Sequence, residues 1–374
     1  MDIKIKNIAS INFMERLNKF GGGGIHLAIL KEEWLSRGIL INKVRGVEAP
    51  SFTLLDILRA TIRSMTINTN SFSKFEANDI IISESPYPPD VILAHRLSRR
   101  FHKPMTIYVY HITPGFLFHP FRRGIFRVAL NRIYILLLLA FAIFYRVPIF
   151  LCNPNTIGVR GLTVFPDLLA VSASDCGGDH LPNLNKTVDI CYIGRIQKSK
   201  GVEDLIKVVS ILAREYNFTP KVVLAGKGED GYVKKIRKLI DYYGLSNDII
   251  LKGFISDREK IELLSSSKVL ISLSYEEGWS LSVMEAASCG LPIVAYDLPA
   301  YYYLEGNYFS IRPSDIRQCA EVTIKVISEY ESSSKTGRKA QELISKFSYN
   351  FISNQQLIFF EKIIKEYWNF NNGF

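Results

Sequence analysis

Two short stretches carry residues whose types and spacing could do chemistry. The first is Gly194-Arg195-Ile196-Gln197-Lys198-Ser199-Lys200-Gly201. It follows an apolar β-branched run and opens a helical pattern, so its glycines let backbone approach a ligand while a helix start offers N–H groups to an anion. Arg195 adds a forked donor and Lys200 a point charge, a combination suited to a diphosphate. The spacing is neither that of a Walker A loop nor that of the dinucleotide GxGxxG fingerprint. A solvated basic loop is the plainer reading.

The second stretch is Glu277-Gly278-Trp279-Ser280-Leu281-Ser282-Val283-Met284-Glu285-Ala286-Ala287-Ser288-Cys289-Gly290. Glu285 is the one charge in its helical segment, and its neighbours at helical spacing are Leu281, Ser282, Ser288 and Cys289. No cation along its own helix offsets its desolvation, whereas a ligand diol would engage both oxygens. Its alternatives are a bond to Ser282 or Ser288, or a cation elsewhere in the fold. Glu277 lies in the loop before the helix, where a strand delivers it; Gly278 and Ser280 set backbone amides at the helix start, favourable for an anion. The alternative for Glu277 is a first-turn surface acid, which is the reading given to Glu276.

The elements that must position these residues alternate strand and helix. In the first half, strands are expected at Ile3–Ile11, Leu40–Val44, Asp79–Ser83, Met105–Tyr110 and Pro148–Cys152, with helices at His26–Arg37 and Pro88–Phe101. In the second half, strands are expected at Val188–Ile193, Lys221–Ala225, Ile249–Leu251, Val269–Leu273 and Ile293–Tyr296. Helices are expected there at Val202–Tyr216, Glu229–Tyr243, Arg258–Ser266 and Ser280–Cys289, and Phe351–Trp368 is an amphipathic closing helix. This order predicts an α/β chain with two doubly wound parallel sheets whose ligands sit at the carboxyl ends of strands. At roughly 100–200 residues per domain, 374 residues make two domains. Residues 1–178, completed by 351–374, form one and residues 186–350 the other, with the small, polar stretch 173–185 as linker.

Charge is unevenly distributed. The net charge is +10, and Val91–Pro166 contains ten Lys/Arg and no Asp or Glu, which leaves the rest of the chain neutral. Inside it Ile133–Tyr145 has no charge; at thirteen residues it is short of the ~20 that span a bilayer. One reading is a buried core helix. The other is a helix in a membrane interface with Arg122, Arg123 and Arg127 on anionic headgroups, each worth about 1 kcal/mol. A nucleic-acid surface fits poorly with so many Leu and Phe neighbours. The five cysteines are scattered and odd in number, which predicts neither a disulfide framework nor a structural metal and suits a reducing, cytosolic setting. The N-terminal residues lack the order of a signal peptide.

The segment Glu277…Glu285 resembles the E-x7-E signature of family 4 retaining glycosyltransferases of the GT-B fold. Gly194-Arg195…Lys200-Gly201 resembles that family's diphosphate-binding Arg and Lys, and Ala225-Gly226-Lys227-Gly228 its AGxG turn. Gly253-Phe254 and Gly290-Leu291-Pro292-Ile293-Val294-Ala295 continue the match. Gly21–Gly24 is similar to the Gly-rich loop of the acceptor domain, and His111 stands where the family often has a histidine after a strand; a structural histidine is its alternative. The sequence departs from the pattern at Trp279-Ser280, where Phe-Gly is commoner, and after Asp297, where the usual Gly-Gly and following acid are missing.

The resemblance implies two Rossmann-like domains facing across a cleft and transfer of a sugar from a nucleotide-sugar donor with retention of anomeric configuration. It implies that Arg195, Lys200 and the helix start at Ser280 hold the departing diphosphate, with no metal or other cofactor. Glu285 would bind ribose, Glu277 donor-sugar hydroxyls, and His111 the reacting sugar. Gly194, Gly226, Gly278, Trp279, Leu281, Gly22 and Gly23 would line the donor. The localised basic-apolar segment points to a lipid-linked glycan or glycolipid acceptor at the inner membrane face, and so to an anionic membrane as partner. A nucleotide-sugar epimerase, a sugar phosphorylase and a sugar-nucleotide binding module without catalysis are the alternatives on this architecture; DNA glycosylation is a remote one.

Overall fold

The computed structural model describes residues 4–12, 22–45, 54–109, 125–151, 160–166 and 186–372. They divide into two compact units, one of Met1–Ile112, Ala129–Ala170 and Tyr349–Phe374, the other of Thr113–Val128 and Val171–Ser348.

The first unit is built on β1 (Asn7–Asn12), α1 (Gly22–Ser36), β2 (Leu40–Arg45), α2 (Leu54–Thr66), β3 (Ile80–Ser83), α3 (Pro88–Phe101), β4 (Met105–Val109), α4 (Ile125–Phe144), β5 (Ile149–Leu151) and β6 (Val164–Pro166). The strands run in parallel in the order β2-β1-β3-β4-β5-β6. β3, β4 and β5 are buried throughout, as expected of a parallel sheet covered on both faces. α3 starts on a proline, whose fixed φ suits a first turn, and ends at His102 in the left-handed conformation. The glycines expected to form a loop before α1 lie inside it: Gly22 and Gly23 open the helix. Their low propensity hides the helix start in sequence, and the first turn tolerates them because its N–H groups have no intrahelical partner.

The strand order reverses between β1 and β3, and a charged cluster fills that point. Glu84, just after β3, accepts from Ser10 Oγ, from Asn12 Nδ2 at 2.8 Å and from Lys31 Nζ of α1. Glu84 and Lys31 are both buried.

The last helix, α11 (Tyr349–Asn372), belongs to this first unit. Phe360 meets Trp34 and Phe150 edge-on at 5.5 Å each, and Phe359 lies 4.9 Å from Phe165. Gln356 Oε1 accepts from the buried Tyr108 hydroxyl at 2.6 Å. Each aromatic pair adds about 0.5–1.5 kcal/mol beyond its buried area.

The uncharged run of α4 is neither wholly core nor wholly exposed. Leu138 and Ala142 are buried, while Ile133, Leu136, Leu137 and Phe144 are 55–78% exposed. Among the described residues no helix is long and apolar enough to cross a membrane.

The second unit comprises β7 (Val188–Ile193), α5 (Val202–Glu215), β8 (Val222–Ala225), α6 (Asp230–Tyr242), β9 (Ile249–Gly253), α7 (Asp257–Ser266), β10 (Ser267–Ser272), α8 (Leu281–Ser288), β11 (Ile293–Tyr296), β12 (Phe309–Ile311), α9 (Ile316–Ser328) and α10 (Tyr330–Ile344). The parallel order is β12-β11-β10-β7-β8-β9, so winding starts at the centre and reverses between β7 and β10. Its core gathers Ile190, Val202, Leu205, Val209, Val222, Leu224, Val269 and Ile271 from sheet and covering helices. Cys289, capping α8, is disulfide-bonded, while Cys191 and Cys319 are free. Distance along the chain says nothing of which thiols the fold brings together. The 173–185 stretch lies outside the described residues.

Candidate active site at the switch point of the C-terminal sheet

Parallel strands open their carboxyl ends into a crevice where the winding direction changes. In the second unit that place lies beyond Ile193 of β7 and Ser272 of β10, paired neighbours through Val269 and Ile190. The loop after β7 carries Arg195 and Lys200; the loop after β10 carries Glu277. Topology alone therefore brings the two stretches together.

Backbone contacts lock them. The Tyr275 N–H donates to the Ser199 carbonyl at 2.9 Å. Gly201 has φ +67, and a Cβ there would stand 1.9 Å from the Leu273 carbonyl oxygen, so no other residue lets the two loops touch this closely. The loop after β8 joins on the other side: Gly194 N–H donates to Ala225 O at 3.0 Å and Ile196 N–H to Lys227 O at 2.8 Å. Gly226, at φ +146, carries the same demand, since a Cβ would sit 1.7 Å from Gly194 O.

On this frame Lys200 Nζ lies 2.6 Å from Glu277 Oε1, their side chains 18% and 12% exposed. Arg195 is exposed, and its carbonyl accepts from the buried Tyr192 hydroxyl at 2.8 Å. Burial raises Tyr192 above the ordinary phenol value; Glu277 raises it further and Arg195 opposes, so both charges are within electrostatic reach of one ring. Burial and then Glu277 likewise raise Tyr301, which stands 3.3 Å from Ser272 Oγ. Cation, carboxylate and guanidinium thus share one neighbourhood bounded by tyrosines.

Ser280 caps α8 without a side-chain bond to the first turn, leaving that turn's amides to other acceptors. Trp279 is turned into the core, stacked on Tyr303 at 4.4 Å and edge-on to Phe347 at 5.9 Å. A ligand contact at Trp279 would therefore be through backbone. Leu281 and Gly278 are half-buried.

Glu285 departs from the isolated carboxylate the helix pattern suggests. Lys260 Nζ of α7 lies 2.7 Å from its Oε1, which realises the alternative of a cation from elsewhere in the fold. Sequence spacing missed Lys260, which is 25 residues away. One signal was there: Ser256 and Glu259 form a capping box that sets the start of α7 and hence where Lys260 emerges. His111, Arg122 and Arg123 lie outside the described residues; Arg127 falls in α4. Among the described residues, no group of three or more His, Cys, Asp or Glu is placed to hold a metal ion.

Comparison with known proteins bears on the family and the fold. Residues 180–343 match the family model described as glycosyl transferases group 1. The chain is 31% identical over 170 residues to the poly(glycerol-phosphate) alpha-glucosyltransferase of Bacillus subtilis, covering 43% of this chain and 24% of that protein. It is 21% identical over 222 residues to the N,N'-diacetylbacillosaminyl-diphospho-undecaprenol alpha-1,3-N-acetylgalactosaminyltransferase of Campylobacter jejuni, covering 58% and 55%. The chain thus spans less than two thirds of either relative. Among solved structures, sucrose-phosphate synthase from Thermosynechococcus elongatus superposes with a TM-score of 0.78 at 13% identity, over 96% of this chain and 100% of that one. The chain has the GT-B fold of two Rossmann-like domains, and its segment 180–343 belongs to the group 1 glycosyl transferases.

Proposed function

We propose that the chain transfers a sugar from a nucleotide-sugar donor to a lipid-linked or polymeric acceptor, with retention of configuration and without a metal. The observation that carries this reading is the shared neighbourhood of Arg195, Lys200 and Glu277 at the switch point of the C-terminal sheet. A departing nucleoside diphosphate needs its developing charge met by fixed positive groups. Arg195, Lys200 and the first-turn amides of α8 are those groups. Because Lys200 touches Glu277, a diphosphate on the lysine sets the attached sugar beside a carboxylate able to accept its hydroxyls. Glu285 takes the ribose diol, and His111 contacts the sugar at its reacting carbon. These cations supply the positive charge that a metal provides in other transferases.

The acceptor reading rests on two supports. The relatives are named for a poly(glycerol-phosphate) and a diphospho-undecaprenol substrate. The exposed face Ile133, Leu136, Leu137 and Phe144 of α4 supplies apolar surface within a segment rich in arginine. Arg122, Arg123 and Arg127 meet anionic headgroups, which holds the protein at the inner membrane face next to its acceptor.

The test is incubation with a panel of nucleotide sugars and a membrane lipid extract. Expected are nucleotide release that requires the extract and label in the lipid fraction. Product formed from donor alone, or no turnover of any donor, overturns the proposal.

A further inference from the structure

Lys260 is absent from the chemistry so far, yet its surroundings are built. The capping box at Ser256 and Glu259 fixes the first turn of α7, from which Lys260 projects. Its ammonium bridges two carboxylates, Asp257 Oδ1 at 2.8 Å and Glu285 Oε1 at 2.7 Å. The two arms differ. Asp257 is 91% exposed, where an ion pair contributes little, whereas Glu285 is 23% exposed and the contact is correspondingly stronger. Burial lowers the lysine's proton affinity, but Glu285 and Asp257 outweigh it and hold the ammonium above its ordinary value.

We infer that Lys260 is a positioning residue for the nucleotide ribose, acting through Glu285. A carboxylate serves as a diol acceptor when its plane is fixed. Helix α8 (LSVMEAAS) has no cation to fix it. Lys260 does so from the neighbouring helix. A carboxylate offers about four acceptor positions, so one ammonium on Oε1 does not exhaust it. The inference rests on the donor-site reading above and adds a residue to it.

The experiment uses the full chain and isothermal titration. UDP, GDP and ADP are screened, and the tightest is compared with its 2′,3′-dideoxy counterpart. Lys260→Met is expected to weaken the ribonucleotide about tenfold and the dideoxy analogue less than about twofold, as for any contact acting through the ribose. Glu285→Gln behaves the same way, the double variant is no weaker than Glu285→Gln alone, and Lys260→Arg retains most of the affinity. A merely structural lysine, or one that touches phosphate, weakens both probes alike; that result, or additive losses in the double variant, overturns the inference. If the parent binds no nucleoside diphosphate, the donor-site reading falls first and Lys260 with it. If the parent binds both probes equally, the ribose contact fails while the diphosphate site stands.

Discussion

The two sheets reverse their winding at corresponding places, and each reversal holds a lysine against a glutamate. In the first unit, Lys31 and Glu84 come from a helix and a strand end, and Ser10 and Asn12 complete the carboxylate's partners. Nearly all of it is buried, with side-chain exposures of 9% and 7%. In the second unit, Lys200 and Glu277 come from two loops, less deeply covered, with an exposed arginine beside them. The first pair is consumed by its own fold. The second stands on backbone locked by close loop contacts and keeps a guanidinium facing out. An ion pair at a switch point is therefore not in itself a site.

This contrast can be broken from either side. Lys31→Met should produce the largest effect, about 3–5 kcal/mol of lost stability, because it strands the Glu84 carboxylate in the interior. Denaturant unfolding measures it, and Lys31→Met with Glu84→Leu should recover much of the loss. A Lys31→Met protein of parental stability would show the pair to be idle. Next comes Arg195→Ala, which in the proposed mechanism removes a fixed charge from the leaving group. Turnover should fall on the order of 10²–10³-fold with the melting temperature almost unchanged; equal turnover removes Arg195 from the mechanism. The smallest effect sharpens the view of the loops. Gly226→Ala forces a Cβ against Gly194 O and should lower stability by about 1–3 kcal/mol. It should also weaken nucleotide diphosphate binding, which titration reads; undiminished binding would mean that the β7 and β8 loops need not touch.

Much of the frame was legible in sequence because parallel strands are continuous apolar runs and helices end on glycine. Val188–Ile193, Ile293–Tyr296 and Pro88–Phe101 have the same bounds in the structure as in the sequence reading. What was hidden has physical reasons. β6 and β12 are three residues each, at the edges of their sheets, and exist through ladder pairing with β5 and β11. The start of α1 is disguised by glycines, whose helix propensity is low. Helix α2 was overlooked although its apolar residues recur at helical spacing. In the site, the residue types around Arg195, Lys200 and Glu277 were readable from loop chemistry. Their partners were not: Lys260 with Glu285, and Lys31 with Glu84, are meetings between separate elements, and a charge's spacing along its own helix does not report them.

The helix α11 has a consequence for biosynthesis. It is made after the whole of the second unit, yet it seals Trp34, Phe150 and Phe165 of the unit begun earlier. The second unit can mature on the nascent chain while the first waits, its aromatic seam open, for Tyr349–Asn372. Order of synthesis and order of completion are thus inverted, and a chaperone would meet the older part of the polypeptide as the unfinished one.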